Sequence, residues 1–419
     1  MRPIVLSVLL VSMLSVTLCS CHKDHPTSAT TTTTTTSNTG SKLNIRLTYP
    51  TLAYSVNYEL IITEESTGKE ILDTLASAGS TISASPQTSD SFFNVTTAAI
   101  LPQDTIFEVT TITHVNPQNW QYSLPHGYDL NPSVPTATTA NIIYTNPPVT
   151  SSNNFILDNF KSVDFINIDG INNDFVCSFQ KYGNNPVLLL IPELHLYNWH
   201  TMTSNQDTVD LTHMDTAISV KYTYPSSYSQ FYCYLYGYAD TNNYSNCALL
   251  YSPEVAIWQT SVEYPTTGVE KYEMVANFND INDHVVTYWY TYGNTVPPTA
   301  PTLPTPASYN LVSSQSSLFS LSWVNVSPAY YRTTWVINNN FSWNIYSPGD
   351  STTQHPQTLM NSISSKILKG QSIGNPSFYM LDFETPQGLD YAGFFNYTCD
   401  STLLKNQRLP SSIIYSRSF

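Results

Sequence analysis

The sequence predicts an all-β chain of tandem β-sandwich domains, and three observations carry that prediction. Apolar residues recur with a period of two, as in Leu43/Ile45/Leu47, Tyr58/Leu60/Ile62, Phe107/Val109/Thr111 and Phe231/Cys233/Leu235, the spacing that puts one side of a strand on a core. These runs are short and are punctuated by Pro, Asn, Asp and Gly, the residues of turns. No segment longer than about two turns carries helical periodicity. Hydrophobic residues make up 41% of the 419-residue chain and aromatics 13%, including 30 tyrosines, while charged residues are 11%; such a composition supplies packed cores and lacks the charge-rich signature of disorder. Acidic side chains outnumber basic ones 30 to 15, a formal charge of −15. That balance argues against nucleic acid, or an anionic membrane bound by charge, as a partner, because both need clustered Lys and Arg.

From the N-terminus, residues 1–20 hold one early charge, Arg2, and then an apolar stretch from Ile4 to Leu18. It is shorter than the roughly 20 residues a membrane span takes and has the form of a cleaved export signal. The stretch ends in Leu18-Cys19-Ser20-Cys21, which resembles a bacterial lipoprotein box. The resemblance implies cleavage before Cys21 and a lipid on that residue, so that the membrane is a partner reached through the anchor. Residues 21–42 contain the run Thr30–Thr36 and no large apolar side chain, a flexible tether that reaches at most roughly 70 Å. Lys23-Asp24 behind the cysteine, together with this tether, resembles surface-exported lipoproteins of the Bacteroidota, which implies an outer-membrane, cell-surface location.

Residues 43–116 read as a first β domain. Ile62-Thr63-Glu64-Glu65-Ser66-Thr67-Gly68-Lys69, followed by Ile71 and Leu72, is a strand, a turn with Gly68 at positive φ, and a strand. The pattern resembles prealbumin-like and immunoglobulin-like β-sandwich modules of bacterial surface proteins, and the resemblance implies a spacer role. Prolines 117, 125, 132, 135, 147 and 148 mark a connection over 117–149. A middle domain follows at 150–294, then the proline-rich linker 295–306, then a C-terminal domain at 307–419.

The middle domain carries the most unusual pattern. Even positions from Tyr222 to Tyr238 hold seven tyrosines (222, 224, 228, 232, 234, 236 and 238), while Phe231, Cys233, Leu235 and Gly237 look core-facing. Tyr288, Tyr290 and Tyr292 alternate with Trp289. Each stripe is one side of a strand. Tyrosine presents a flat apolar body with a polar tip, suited to stacking on sugar rings while bonding their hydroxyls; cross-strand packing or cover for a domain interface is the competing reading. Tyr232, Tyr234, Tyr236, Tyr288, Tyr290 and Tyr292 are therefore the candidate ligand platform.

Cys233 and Cys247 have their midpoint at Asp240, so an odd hairpin loop centred there predicts that they face each other and form a disulfide. Cys177 and Cys399 fall in different predicted domains and read as two buried thiols. Trp335 and Trp343 are centred on Asn339; a three-residue hairpin loop predicts a cross-strand indole pair with a structural role.

Other constellations are weaker. Gly370-Gln371-Ser372-Ile373-Gly374 matches the nucleophile elbow of α/β-hydrolases, but Asn375-Pro376 opposes the helix that must follow, and the last histidine, His355, precedes Ser372, contrary to the triad order of that fold. Glu193 and His195 share a strand face from which His200 points away, so a third metal ligand is missing. The stretch Asn167 to Asp174 is similar to calcium loops, yet Phe165 stands where the first carboxylate belongs and no closing Glu follows; it reads as an Asx-rich turn. Neither a metal nor a cofactor is expected. Asp-Ser/Thr sequences at Thr74, Thr105, Thr208, Thr216, Ser351 and Ser401 resemble O-glycosylation sequences of exported Bacteroidota proteins, which implies permissive modification sites.

The expectation is thus a lipid-anchored, non-enzymatic outer-membrane surface protein that binds a glycan or another extracellular ligand. A structural or adhesive surface protein, whose tyrosines pack against a partner protein, is the alternative.

Overall fold

The computed structural model describes residues 57–77, 90–101, 106–116, 137–149, 154–160, 174–223, 230–239, 247–251, 261–399 and 408–419, with short strand segments at 30–32, 41–42, 44–48, 81–84, 87–88, 121–122 and 163–167. The fold is all-β and sandwich-like, with two short α-helices among the described residues. The chain divides into two compact units, one of Met1–Asp129, Pro304–Arg408 and Ile414–Phe419 and the other of Leu130–Leu303 and Leu409–Ile413. The sequence reading separates 43–116 from 307–419; the structure puts strands of both into one sheet of the first unit.

The first unit opens with β1 (Asn57–Glu64), β2 (Glu70–Ser77), β3 (Phe93–Leu101) and β4 (Ile106–Val115). They pair antiparallel in the order β2-β1-β3-β4. Leu60, Ile61 and Ile62 are all fully buried, so this strand is covered on both faces and reads as a continuous apolar run. The turn after it places Gly68 at φ +68°, the left-handed conformation a glycine adopts without steric cost.

The second unit contains a complete sandwich. Its strands β5 (Ala137–Thr145), β6 (Asn154–Asp158), β7 (Phe175–Tyr182), β8 (Val187–Ile191), β9 (Leu196–His200) and β10 (Gln206–Asp210) form two sheets. One is β7-β5-β10; the other centres on β6-β8-β9. Ala140, Ile142 and Tyr144 of β5, Phe175, Cys177 and Phe179 of β7, and Val187, Leu189 and Ile191 of β8 share one core between them. Cys177 is buried and takes part in no disulfide, whereas the Cys399 side chain lies outside the described residues.

The same unit continues with β11 (Ile218–Lys221), β12 (Gln230–Tyr238), β13 (Cys247–Tyr251), β14 (Ser261–Tyr264), β15 (Lys271–Asp280) and β16 (Val285–Gly293). The order β13-β12-β15-β16 is antiparallel throughout, and β11 pairs with β14. Val296 and Leu303, within the proline-rich stretch after β16, are buried.

The chain then re-enters the first unit with β17 (Tyr309–Gln315), β18 (Leu318–Trp323), β19 (Tyr330–Asn338), β20 (Phe341–Pro348), α1 (Pro356–Ser362), β21 (Ser377–Pro386) and α2 (Tyr391–Cys399); in the last strand, β22 (Ser411–Ser418), the first three residues belong to the second unit and the rest to the first. β20 runs parallel to β4, with Phe341 opposite Phe107. β19 pairs with β20 and β21. The β17-β18 layer packs on this sheet through aromatic rings: Phe319 meets Tyr331, Trp335 and Phe378, and Tyr309 meets Phe383 and Tyr415. Another core joins Leu60, Ile62, Phe93, Val95 and Ile112 to Tyr391, Phe394 and Phe395 of α2.

Candidate functional site

The tyrosine stripes come together through one central strand. In β15, Tyr272, Met274, Ala276 and Phe278 are buried, so Lys271, Glu273, Val275 and Asn277 occupy the opposite face. β12 pairs Tyr232 with Asn277, Tyr234 with Val275, Tyr236 with Glu273 and Tyr238 with Lys271. β16 pairs Tyr288 with Asn277, Tyr290 with Val275 and Tyr292 with Glu273. The described tyrosines of both stripes therefore lie on one face, in the rows Tyr234–Val275–Tyr290 and Tyr236–Glu273–Tyr292. The back of the sheet is core: Phe231, Cys233, Leu235 and Trp289 are buried, and Tyr222 meets Trp289 edge to face at 5.6 Å.

Strand geometry sets the scale of this face. Neighbouring strands lie about 4.8 Å apart and alternate residues on a strand about 6.7 Å apart, so the ladder is about 10 Å wide and about 13 Å long. Tyr234, Tyr236, Glu273, Val275, Tyr288, Tyr290 and Tyr292 are all half-buried. The Tyr236 hydroxyl is pushed well above the ordinary tyrosine range, first by burial and then by the negative fields of Cys247, Glu273 and Asp158. It stays neutral at physiological pH and keeps its proton for donation. The Tyr238 hydroxyl donates to Glu273 Oε2, and the rings of Tyr238 and Tyr292 meet edge to face with centroids 5.9 Å apart. Lys271 Nζ donates to Asn294 Oδ1. Rings of this kind stack on flat apolar ligand surfaces, while Glu273 and the hydroxyls supply hydrogen bonds.

Not every residue of the predicted stripe belongs to this face. Tyr222 follows β11 and sits in the core behind the sheet, its hydroxyl donating to the Pro297 carbonyl at 2.7 Å. Tyr224, Tyr228 and the side chain of Tyr232 lie outside the described residues, as does Cys21. Sequence reading missed Glu273, Val275 and Asn277. Their signal was present: the Tyr272/Met274/Ala276/Phe278 alternation marks β15 as a strand whose other face matches the stripes.

The predicted Cys233–Cys247 disulfide is not formed. Cys247 stands opposite Tyr238, and Cys233 is paired with Ala276 and faces the core. The register that sets Tyr238 against Cys247 differs by an odd number of residues from one that would set Cys233 against it, and that offset puts Cys247 on the other face. Trp335 does stand opposite Trp343, both fully buried, but the turn has two residues and an irregularity between Val336 and Asn338 absorbs the third.

Glu193 lies in a 3-10 turn, and His195 follows it at φ +54°, not on the strand expected from the sequence. His195 Nδ1 lies 2.8 Å from Glu263 Oε2, and His200 Nε2 lies 3.0 Å from Asp207 Oδ2, so the two imidazoles are held by different carboxylates. Among the described residues no group of three metal-binding side chains converges. Ser372 is exposed and no helix follows it directly; most of the stretch Asn167 to Asp174 lies outside the described residues. Thr74 and Ser351 are half-buried and Thr208 and Thr216 exposed, while Thr105 and Ser401 lie outside the described residues. An open groove of about 300 Å³ lies by Trp289, Thr291, Gly293, Pro297 and Pro301, at the end of β16 and along the proline-rich stretch.

No protein-family model matches this chain, and no curated protein matches it.

Proposed function

We propose that the chain is a lipid-anchored surface protein of the outer membrane that captures glycan, without catalysis, on the tyrosine face of β12, β15 and β16. The observation that carries this reading is the shared register, which sets Tyr234 and Tyr290 on either side of Val275, and Tyr236 and Tyr292 on either side of Glu273. Paired flat rings with polar groups between them suit the alternating apolar and hydroxylated surfaces of a pyranose chain. The anchor reading rests on Leu18-Cys19-Ser20-Cys21. No helix among the described residues is long and apolar enough to cross a membrane.

A structural or adhesive role is the second reading, favoured by the half-burial of the stripes and by the engagement of the Tyr238 hydroxyl with Glu273. The double variant Tyr234→Leu/Tyr290→Leu separates the two, since it keeps apolar bulk beside Val275 and removes both flat rings. Stacking is worth about 0.5–1.5 kcal/mol per ring, so the double change should weaken glycan binding by about 5- to 150-fold while the melting temperature stays within a few degrees. The assay is a glycan array followed by titration calorimetry on the best ligand. No binding by the wild-type chain, or binding untouched by the double change, sinks the capture reading.

A further inference from the structure

The capture face is not electrically neutral, and its charge selects among glycans. Glu273 lies at the centre of the Tyr236–Glu273–Tyr292 row. The Tyr238 hydroxyl donates to its carboxylate, and the Tyr238 ring packs edge to face against Tyr292, planes at 75°. Three aromatic rings thus surround one carboxylate that is only half-buried. Asp158 adds a second negative charge whose field reaches Tyr236; its oxygens accept the Leu249 and Phe160 backbone N–H groups at 2.9 and 2.6 Å. The nearest cation on the same strand face, Lys271, directs its ammonium to Asn294, past the end of β16. The whole chain carries a formal charge of −15.

Aromatic rings attract cations to their faces because of the ring quadrupole, and a carboxylate beside them adds a formal charge of the same preference. A uronate or sulfated sugar brought to this row meets Glu273 as a like charge. A neutral sugar gains stacking alone. An amino sugar offers both a pyranose face for the tyrosines and an ammonium for Glu273.

We infer that the tyrosine face is selective for glycans bearing free amino groups, with Glu273 as the residue that sets the selectivity through the surrounding rings of Tyr236, Tyr238 and Tyr292. The inference rests on the capture reading above and sharpens it to one ligand class.

The test is titration calorimetry of the full chain in detergent with three probes of matched length at mildly acidic pH, where sugar amines are protonated: a glucosamine hexamer, its fully N-acetylated form, and a cellulose hexamer. The glucosamine hexamer should bind about tenfold tighter than either neutral probe. Glu273→Gln keeps an acceptor for the Tyr238 hydroxyl and should bring all three to one affinity. Equal binding of the three probes by the wild-type chain overturns the selectivity while leaving the capture face standing, and needs no variant to fold. A preference for glucosamine that survives Glu273→Gln overturns the role of Glu273. Binding of none of the probes overturns this inference, whereas any other glycan bound on the array keeps the capture reading alive. A lysine hexapeptide that binds as tightly as the glucosamine hexamer overturns the assignment to sugars.

Discussion

Raising the pH should unfold this protein in cooperative steps, because its cores are built on tyrosines that cannot ionise in place. Burial pushes the hydroxyls of Tyr330, Tyr331 and Tyr391 in the first unit far above the ordinary range. It does the same for Tyr144 and Tyr222 in the second unit and raises Tyr272 to about 12. A tyrosine whose folded pKa is raised contributes stability that is intact below its unfolded pKa, near 10, and is lost as pH climbs beyond it, since only the unfolded chain then sheds the proton. One pH unit past 10 costs about 1.4 kcal/mol per buried tyrosine, so three of them remove about 4 kcal/mol from each unit at pH 11 and about 8 kcal/mol at pH 12. In the second unit the buried Cys233 thiol is raised as well, by desolvation; its unfolded form ionises above about 8.5 and adds about 3 kcal/mol to the loss at pH 11. Against a typical total of about 5–15 kcal/mol, the second unit should open near pH 11 and the first nearer pH 12. Near-ultraviolet absorbance of tyrosinate, recorded beside far-ultraviolet circular dichroism, reads this directly. The exposed tyrosines should titrate smoothly around pH 10 and the buried ones should appear in steps that coincide with loss of β signal. If all 30 tyrosines ionise by pH 11 with the dichroism unchanged, the burial argument is wrong.

Two further outcomes follow from single residues. Cys21→Ser should move the protein from the membrane to the soluble fraction, because the lipid is the proposed attachment; a variant still recovered with membranes removes the anchor from the reading. Gly349→Ala should destabilise the first unit by at least about 2 kcal/mol in chemical unfolding, because an added Cβ would lie 1.8 Å from the Pro328 carbonyl oxygen, and a melt like that of the parent would show that this backbone can yield.

Local pattern carried much of the fold, and long-range pairing carried what it could not. The strand-turn-strand around Gly68 and the facing indoles of Trp335 and Trp343 were legible because each depends on residues within one hairpin. The parallel pairing of β20 with β4, which joins Tyr346 to Ile112, was not. A parallel neighbour is brought in by a crossover, and alternation within either strand carries no label for it. Helix α2 was equally faint: Tyr391, Phe394 and Phe395 give the spacing of one buried helical face, but nine residues are too few for periodicity to stand out.

The site turned on parity. Each tyrosine stripe was visible as alternation, yet whether two stripes share a face depends on the strand between them. Tyr236 and Tyr292 both pair with Glu273, and residues directly opposite in a ladder always project to the same side, so one central strand brings the two stripes onto one surface. The cysteines failed by the same rule. β12 and β13 pair Tyr238 with Cys247, positions whose numbers sum to an odd total where a facing Cys233–Cys247 pair assumed an even one. A shift of that kind moves the β13 side chains from Cys247 to Leu249 to the opposite face relative to β12. Cys247 accordingly joins the tyrosine side while Cys233 stays in the core. The tyrosine face is less exposed to such an error than a hairpin is, because β15 is paired along nine residues with each neighbour, and a slip of one residue by either neighbour would bury its tyrosines against the core and turn Phe231 and Leu235 of β12, or Trp289 of β16, to the surface.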